Sequence, residues 1–314
     1  MHLLIPFASA LSQEALQVLP SLALPNLTRL LGRLAPAERD EADEYTLSPP
    51  HERALASAWG WRGADGALPF AARAAAADGI AVEGRAWGLV TPVHWHVGRD
   101  HITMADPELL RLDAAESRAL FEAVRELFEG EGFEWAWGAP QRWYAAHPHL
   151  ARLPCASLDR VIGRNVDFWL DAGSRADSNA ALIRRLQSEV QLLLYPHPIN
   201  EAREARGELA LNSFWLSGCG AAQPVDEDAV AIDASLRTPL LAGDAAAWSK
   251  SWSALDAGAI GALLREVAAA DRDVALTLCG ERTAQRWHRA PRTLRQRLGL
   301  GPRAPHVGEL LASL

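Results

Sequence analysis

The chain has 314 residues, of which 49% are hydrophobic and 22% are charged, and its formal net charge at pH 7 is −8. This composition is typical of a soluble globular protein, and the length allows one large domain or two smaller ones. A nucleic-acid-binding protein normally presents a basic surface, so the acidic balance argues against a nucleic-acid partner. Lys250 is the only lysine, so arginine, the better bidentate partner for phosphate and carboxylate groups, carries the remaining positive charge.

The cysteines and the apolar segments indicate in which cellular compartment we expect the protein. Cys155, Cys219 and Cys279 are odd in number, lie far apart and form no CxxC motif, so we expect a reducing, cytoplasmic environment. The N-terminal residues have no basic region before their short apolar run, which argues against a signal peptide. No stretch approaches the roughly 18 consecutive apolar residues of a membrane span, so we expect no membrane partner.

The first part of the chain alternates strand and helix signals. Residues 2–8, HLLIPFA, are short, apolar and uninterrupted, which predicts a buried first strand. A helix is predicted over 24–34, with a proline in its first turn. The acidic run 36–45 predicts an exposed loop, and the prolines at the start of 47–61 predict another helix.

The middle and the end continue this alternation. Strands are predicted within 86–97, 212–218 and 273–280, and the tail after them is predicted to be helical with proline and glycine breaks. Two amphipathic helices are predicted over 112–130 and 178–195, because each places apolar residues on one stripe: Leu120, Phe121, Val124, Leu127 and Phe128 in the first, and Leu182, Leu186, Val190, Leu193 and Leu194 in the second. Helices that alternate with single buried strands favour an α/β sheet.

The segment 197–220, HPINEAREARGELALNSFWLSGCG, concentrates polar groups around a short apolar run. Its spacing predicts a short helix that ends at Gly207. Arg203 and Arg206 then lie on neighbouring turns of this helix, with Asn200 at its cap, and a helix start with arginines is a suitable place for an anion. The same spacing also fits a capped surface helix with solvated arginines, so the pattern alone leaves both interpretations open.

This segment resembles a stretch of the archaeal-type cofactor-independent phosphoglycerate mutases, which reads His-Pro-Val-Asn, then Arg, Gly, Pro-Ala-Asn and Trp-Leu-Trp-Gly. The matching positions are His197, Pro198, Asn200, Arg203, Gly207, Asn212, Trp215, Gly218 and Gly220. The chain departs from the family at 209–211, where Leu-Ala-Leu replaces the Pro-Ala pair, and at Ser217, which replaces the second tryptophan.

The resemblance implies a ligand site in this segment. We therefore expect His197, Asn200, Arg203 and Asn212 to contact a ligand. In this hypothesis Arg203 binds a phosphate or carboxylate group, and the amide side chains fix the turn of the chain.

Two further stretches are similar to the wider alkaline-phosphatase superfamily. LPNLTRLL (24–31) is similar to its Thr-Pro-Asn-Leu-Asp-Arg-Leu signature, and PPHERALASAWGW (49–61) is similar to a mutase stretch that begins Pro-Gly-Ser-Asp. About two thirds of the chain follows the family order. The resemblance implies an alkaline-phosphatase-like three-layer α/β sandwich built from residues 1–85 and 206–314, with an α+β domain inserted at 86–205.

The departures from the family concern its chemistry. Enzymes of this superfamily clamp the attacking and leaving oxygens of a phosphoryl transfer between two metals held by Asp and His. Here no acid follows the first strand, His51 occupies the position of the nucleophilic serine, and CGER at 279–282 occupies the place of an Asp-His pair. We therefore predict that the two-metal centre is lost and that no metal cofactor is bound, unless Mn²⁺ or Zn²⁺ has a site that the family does not share.

One other stretch offers weak metal ligands. On a strand, His94 and His96 point to the same face, and His101 together with Asp100 or Asp106 could complete a His/carboxylate set. The alternative is a partly exposed strand with aromatic packing, because His-x-His alone has little specificity.

Two functional hypotheses follow from the sequence. The first is a mutase-like protein that has lost its metal centre and binds a small phosphorylated metabolite, either without catalysis or with altered chemistry. The second is a non-catalytic regulatory or scaffold protein in which the segment 197–220 is structural. The sequence leaves the substrate and the oligomeric state open.

Overall fold

The computed structural model describes residues 1–172, 178–226, 229–269, 273–289 and 306–314. In chain order the strands are β1 (His2–Ile5), β2 (Ala35–Glu41), β3 (Ala86–Val93), β4 (Trp95–Val97), β5 (Ile102–Met104), β6 (Glu134–Ala139), β7 (Arg142–Ala146), β8 (Ser213–Ala221), β9 (Ala231–Ile232), β10 (Ala275–Cys279) and β11 (Thr283–His288). The α-helices are α1 (Gln13–Val18), α2 (Pro25–Leu31), α3 (Pro50–Ala58), α4 (Phe70–Ala77), α5 (Ala114–Glu129), α6 (Leu158–Val161), α7 (Val166–Ala172), α8 (Ser178–Leu194), α9 (Pro198–Ala205), α10 (Arg237–Leu241), α11 (Ala245–Leu255), α12 (Gly261–Ala268) and α13 (Val307–Ala312).

The chain divides into two compact units. Unit 1 consists of Met1–Glu44, Pro49–Gly60 and Val225–Leu314, and unit 2 consists of Tyr45–Ser48 and Trp61–Pro224. The sequence analysis assigned residues 61–85 and 206–224 to the three-layer sandwich, but they lie in unit 2. They contain β8, which pairs with β3, and α4, which packs on both of these strands.

Unit 1 is built on a five-stranded mixed sheet with the order β2-β11-β10-β1-β9. Strand β1 runs parallel to both β10 and β9, whereas β11 runs antiparallel to β10 and β2. Parallel neighbours need a crossover connection, and here the whole of unit 2 and several helices lie between β1 and β10 in the chain. Together with the inserted second unit, this sheet confirms the predicted α/β class.

The two faces of the unit 1 sheet differ in polarity, because successive side chains of a strand point to opposite faces. One face packs into an apolar core against α2, α11, α12 and α13, and its buried strand residues are Leu3, Ile5, Leu276, Leu278 and Trp287. Helix α3 contacts the sheet through β1, β2, β10 and β11. The strand positions that alternate with the apolar set lie near α3 and include polar groups. The unit therefore has helical layers around its sheet.

A buried carboxylate fixes helix α2 in unit 1. Asp256 is only 4% exposed and accepts hydrogen bonds from the backbone amides of Asn26, at 3.1 Å, and Leu27, at 2.7 Å. The Asn26 side chain in turn donates to the Asp256 carbonyl at 3.0 Å. The first amides of a helix lack partners within the helix, so Asp256 satisfies groups that would otherwise be buried without a hydrogen bond. Asp256 opens a π-helical turn, Asp256–Ile260, that joins α11 to α12.

Unit 2 contains a four-stranded antiparallel sheet with the order β6-β7-β3-β8 and a small β4-β5 hairpin. The predicted stripes of α5 and α8 pack together with this sheet, which confirms both amphipathic helices. Leu127, Leu182 and Leu193 are only partly buried, at the edge of the stripe, and the other predicted stripe residues are buried. Trp135 of β6 stacks on two rings of α5, with centroid distances of 4.9 Å to Phe121 and 4.1 Å to Phe128.

A close approach between β8 and α4 explains one glycine of the segment 197–220. Gly218 has φ of +62°, and a Cβ atom at this position would lie 2.8 Å from the backbone nitrogen of Ala71. Both the left-handed backbone and the lack of space favour glycine.

Two sequence predictions in unit 1 were wrong. The acidic stretch predicted as an exposed loop contains the edge strand β2, and the tail predicted as helical begins with β11. Charged side chains are common on edge strands, where they discourage pairing with other chains, so the composition of β2 resembles that of a loop. Helix α13 confirms part of the helical tail, and residues 290–305 lie outside the described residues.

Within the described ranges, every helix is too short or too polar to cross a membrane.

We predict that Asp256→Ala lowers the free energy of unfolding by about 2 kcal/mol, because it leaves the Asn26 and Leu27 amides without their acceptor. Urea unfolding followed by circular dichroism measures this. Asp256→Asn, which keeps one acceptor oxygen, should lose less, and so should Asp244→Ala, which removes an exposed cap of α11. Equal losses in the three variants would contradict a special role for the buried carboxylate.

Candidate functional site

The predicted ligand-binding segment begins with α9 in unit 2. His197 is the N-cap residue, and its Nδ1 accepts a hydrogen bond from the Ile199 amide at 3.3 Å. The helix ends before Gly207, whose φ is +72°, as the sequence predicts. The cap is therefore supplied by His197 and not by Asn200.

Asn200 connects the two flanking elements of α9. Its side-chain Nδ2 donates to the carbonyls of Leu194, at 2.8 Å, and Leu211, at 2.7 Å, and its Oδ1 accepts from the Leu211 amide at 2.8 Å. The residue is 3% exposed. Both donor hydrogens are used inside unit 2, so Asn200 holds the end of α8 next to the start of β8.

Arg203 is completely buried and is hydrogen-bonded through all three guanidinium nitrogens. Its Nε donates to the Leu209 carbonyl at 2.8 Å, one terminal nitrogen donates to the Glu116 carboxylate, and the other donates to the Leu110 carbonyl. A buried charge is tolerated when it is paired and its hydrogen bonds are satisfied, and Arg203 meets both conditions. Glu116 also accepts from the exposed Arg206 at 2.6 Å.

Asn212 extends the pairing of β8 with side-chain hydrogen bonds. Its Oδ1 accepts from the Trp95 amide at 2.7 Å, and its Nδ2 donates to the Trp95 carbonyl at 2.9 Å. The side chain thus imitates a backbone pair at the point where β3 gives way to β4.

These contacts give the segment 197–220 a structural role in unit 2. Asn200 and Arg203 present no exposed group to a ligand, so we do not carry forward the hypothesis that they bind one. His197 and Asn212 are half-buried and stay predictions as ligand contacts.

His94 and His96, the weak metal candidates, lie side by side with ring centroids 4.5 Å apart. Nδ1 of His94 donates to the Ala210 carbonyl at 2.7 Å. Burial lowers the pKa of the His94 imidazole, and this hydrogen bond opposes the shift. Through the described ranges, no group of three or more His, Cys, Asp or Glu side chains is arranged to hold a metal ion.

The end of the unit 1 sheet at which β1 and β10 finish, its carboxyl edge, holds the positions at which the sequence resemblance implies catalytic residues. His51, in the first turn of α3, packs its ring 5.1 Å from that of Phe7, which follows β1 and has φ of +58°. Glu281, after β10, accepts a hydrogen bond from the Leu11 amide at 2.8 Å. A two-metal centre needs clustered carboxylates and histidines. In the described part of the chain, the side chains at this edge do not form such a cluster.

A second feature of unit 1 is a cleft of about 370 Å³ between α3 and the polar face of the sheet. Three arginines (Arg39, Arg53 and Arg286) and two carboxylates (Glu38 and Asp40) line it. This volume lies in the range of small-molecule sites, roughly 300–1,000 Å³. Arg53 and Arg286 bring positive charge to the cleft, and the carboxylates of Glu38 and Asp40 oppose it.

The three arginines of the cleft differ in how strongly they are paired. Arg53 donates to Asp40 at 2.6 Å, and Arg39 donates to the Ser313 carbonyl at 2.9 Å and to Glu41 at 3.3 Å. Arg286 reaches Glu38 only at 3.4 Å, and that carboxylate is 71% exposed. The Nε of Arg286 is buried and has no hydrogen-bond partner in the described part of the chain.

His2 and Thr277 complete the polar wall of the cleft. The Nε2 atom of His2 lies 2.8 Å from the hydroxyl oxygen of Thr277, and Thr277 pairs with Arg286 across β10 and β11. Burial first, and then the charge of Arg286, lowers the pKa of the His2 imidazole to about 4.

The sequence analysis did not identify any of the cleft residues. They come from four strands and one helix that are distant in the chain, and β2 and β11 were not predicted as strands. The only local signal is the alternation in TAQRWH (283–288), in which Ala284 and Arg286 share a face.

Comparisons with known proteins add a distant likeness. No protein-family profile matches the chain, and no curated protein matches it significantly. Among solved structures, the chain is similar to a cofactor-independent phosphoglycerate mutase from Thermoplasma acidophilum, with 13% identity, a TM-score of 0.34 and coverage of 100% of this chain and 99% of that chain. It is also similar to the PH0037 protein from Pyrococcus horikoshii, with 14% identity, a TM-score of 0.44 and coverage of 92% and 87%. Both TM-scores are low, so neither likeness supports a functional conclusion.

We predict that Arg203→Met lowers the free energy of unfolding by about 3 to 5 kcal/mol, because it leaves Glu116 and two carbonyls without their buried partner. Chemical denaturation measures this loss. Arg206→Met is the matched control, since Arg206 contacts the same carboxylate from an exposed position and should cost much less. Similar losses in both variants would contradict the structural role of Arg203.

We also predict a pH effect from His2. The unfolded imidazole takes up a proton near its usual pKa of 6.5 and the folded one only near 4, so the unfolded state binds more protons in this window. The stability that His2 contributes is therefore complete above the unfolded pKa and is lost as the pH falls from about 6.5 toward 4. Unfolding free energies measured across this range should fall less steeply in His2→Gln than in the unaltered chain. Parallel curves would refute the prediction.

Proposed function

We propose that this mutase-like protein binds a small phosphorylated metabolite and does not transfer a phosphoryl group through two metals. The observation that carries the proposal is the nature of the side chains at the carboxyl edge of the unit 1 sheet. There His51 packs on Phe7, and Glu281 accepts from a backbone amide, in the places where the resemblance expects a serine nucleophile and metal ligands.

Anion binding without a metal is supported by the same unit. Guanidinium groups hold phosphate through charge-assisted hydrogen bonds and need no cation for this purpose. The arginine-lined cleft supplies such groups in a volume suited to a small molecule. The metal-independent proposal thus rests on donors that this chain possesses.

The scaffold hypothesis receives support from one observation. The hydrogen bonds of Asn200, Arg203 and Asn212 are those of structural residues, as that hypothesis requires of the segment 197–220. The two hypotheses then differ in whether unit 1 binds an anion.

We expect 3-phosphoglycerate to raise the thermal midpoint of the purified protein, because a ligand that binds only the folded state stabilises it. We expect no turnover of 3-phosphoglycerate to 2-phosphoglycerate with added Mn²⁺, and no stoichiometric Mn²⁺ or Zn²⁺ by elemental analysis. Glycerol, which lacks the phosphate and carboxylate, is the control ligand. Turnover with bound metal would overturn the metal-independent part, and the absence of any shift with phosphorylated compounds would favour the scaffold.

A further inference from the structure

The cleft under α3 is distinct from the carboxyl edge of the sheet. Its wall includes His2, at the start of β1, and Thr277, in the middle of β10, whereas the family-matched positions follow the ends of β1 and β10. The two places in unit 1 have different arginines: Arg286 lies in the cleft, and Arg282 lies just after β10.

We propose that the cleft is the binding site for a phosphate monoester and that Arg286 is the residue that holds the phosphate. This inference rests on the proposed function and adds to it the location of the site and the group that is recognised. The central observation is the geometry of Arg286 within the wall of the cleft.

Arg286 combines a positive charge with incomplete pairing. Its contact with Glu38 is long at 3.4 Å, and Glu38 is mostly exposed to solvent, so this pair neutralises little of the charge. Its buried Nε has no partner in the described ranges, and a buried donor without a hydrogen bond is unfavourable by about 1–3 kcal/mol. A phosphate oxygen in the cleft would accept from this nitrogen and from a terminal nitrogen together.

The other polar groups of the cleft fit the remaining parts of a phosphate monoester. Arg39, on the neighbouring strand β2, is engaged by the Ser313 carbonyl and Glu41, so the phosphate depends on Arg286 for its positive partner. Ser57, on the exposed side of α3, offers a hydroxyl at the lining. Asp40 is engaged by Arg53 at 2.6 Å, so its carboxylate is compensated and repels an incoming anion less than a free one would.

The experiment compares 3-phosphoglycerate binding by isothermal titration calorimetry in the full chain and in Arg286→Gln, which removes the charge but keeps a polar side chain. We expect Arg286→Gln to weaken binding by about 10- to 100-fold, the usual range for loss of a hydrogen bond to a charged group. Arg282→Gln is the matched control and should bind as the unaltered chain does. Circular dichroism and urea unfolding establish that each variant is folded.

A second variant tests the cleft without changing its charge. Ala54 lines the cleft on α3, and Ala54→Leu should weaken binding of 3-phosphoglycerate by filling the volume. Inorganic phosphate, which is smaller, should be less affected by Ala54→Leu and equally affected by Arg286→Gln.

The outcomes separate the two proposals. If the unaltered chain binds no phosphorylated compound, the proposed function fails. If it binds 3-phosphoglycerate and Arg286→Gln binds equally well, or if Arg282→Gln is the variant that loses binding, the proposed function stands and the assignment of the cleft is overturned.

Discussion

The buried guanidinium of Arg203 is the constraint on which much of unit 2 depends. It joins α9 to the first turn of α5 through Glu116. It also binds the Leu110 carbonyl, just before α5, and the Leu209 carbonyl, just after α9. Without it the Leu110 and Leu209 carbonyls would lose their donor and Glu116 would keep only the exposed Arg206, so the four stretches must adopt their positions together. Asn200 adds a second tie, between the end of α8 and the start of β8.

This constraint gives the segment 197–220 a structural explanation in place of a ligand-binding one for its arginines. A helix start with arginines is a suitable anion site when the arginines are exposed. In this chain the first arginine is turned inward and saturated, and the second, Arg206, is held between Glu116 and Glu208. The order of residues in the segment is therefore explained by the requirements of a helix, a turn and a strand that must meet, and an arginine that can bind an anion has to be sought elsewhere.

The features that the sequence predicts well are those that depend on neighbouring residues. The stripes of α5 and α8 and the glycine end of α9 follow from helical periodicity and from local backbone conformation. The features that it misses depend on residues far apart in the chain. Asp256 caps α2 across 230 positions, β2 pairs with β11 across a similar distance, and Arg203 meets Glu116 across 87 positions. No spacing rule relates these pairs, so the same arginine fits an exposed ligand contact and a buried tie equally well.

The location of the cleft follows from the alternation of side chains in β10 and β11. Leu276 pairs with Trp287 and Leu278 pairs with Gln285, whereas Thr277, between the two leucines, pairs with Arg286. Because successive residues of a strand point to opposite faces, Thr277 and Arg286 lie on the face opposite to Leu276 and Leu278. The register between β11 and β2 shifts between Gln285, which pairs with Arg39, and Trp287, which pairs with Pro36, so the extra residue of this irregularity lies in β2, opposite Arg286. Bulges leave a residue unpaired and can redirect its side chain, and they are common beside functional sites. The positive charge and the unsatisfied Nε occur in the same residue, opposite this irregularity, and for this reason we propose Arg286, rather than either arginine of the segment 197–220, as the group that recognises an anion.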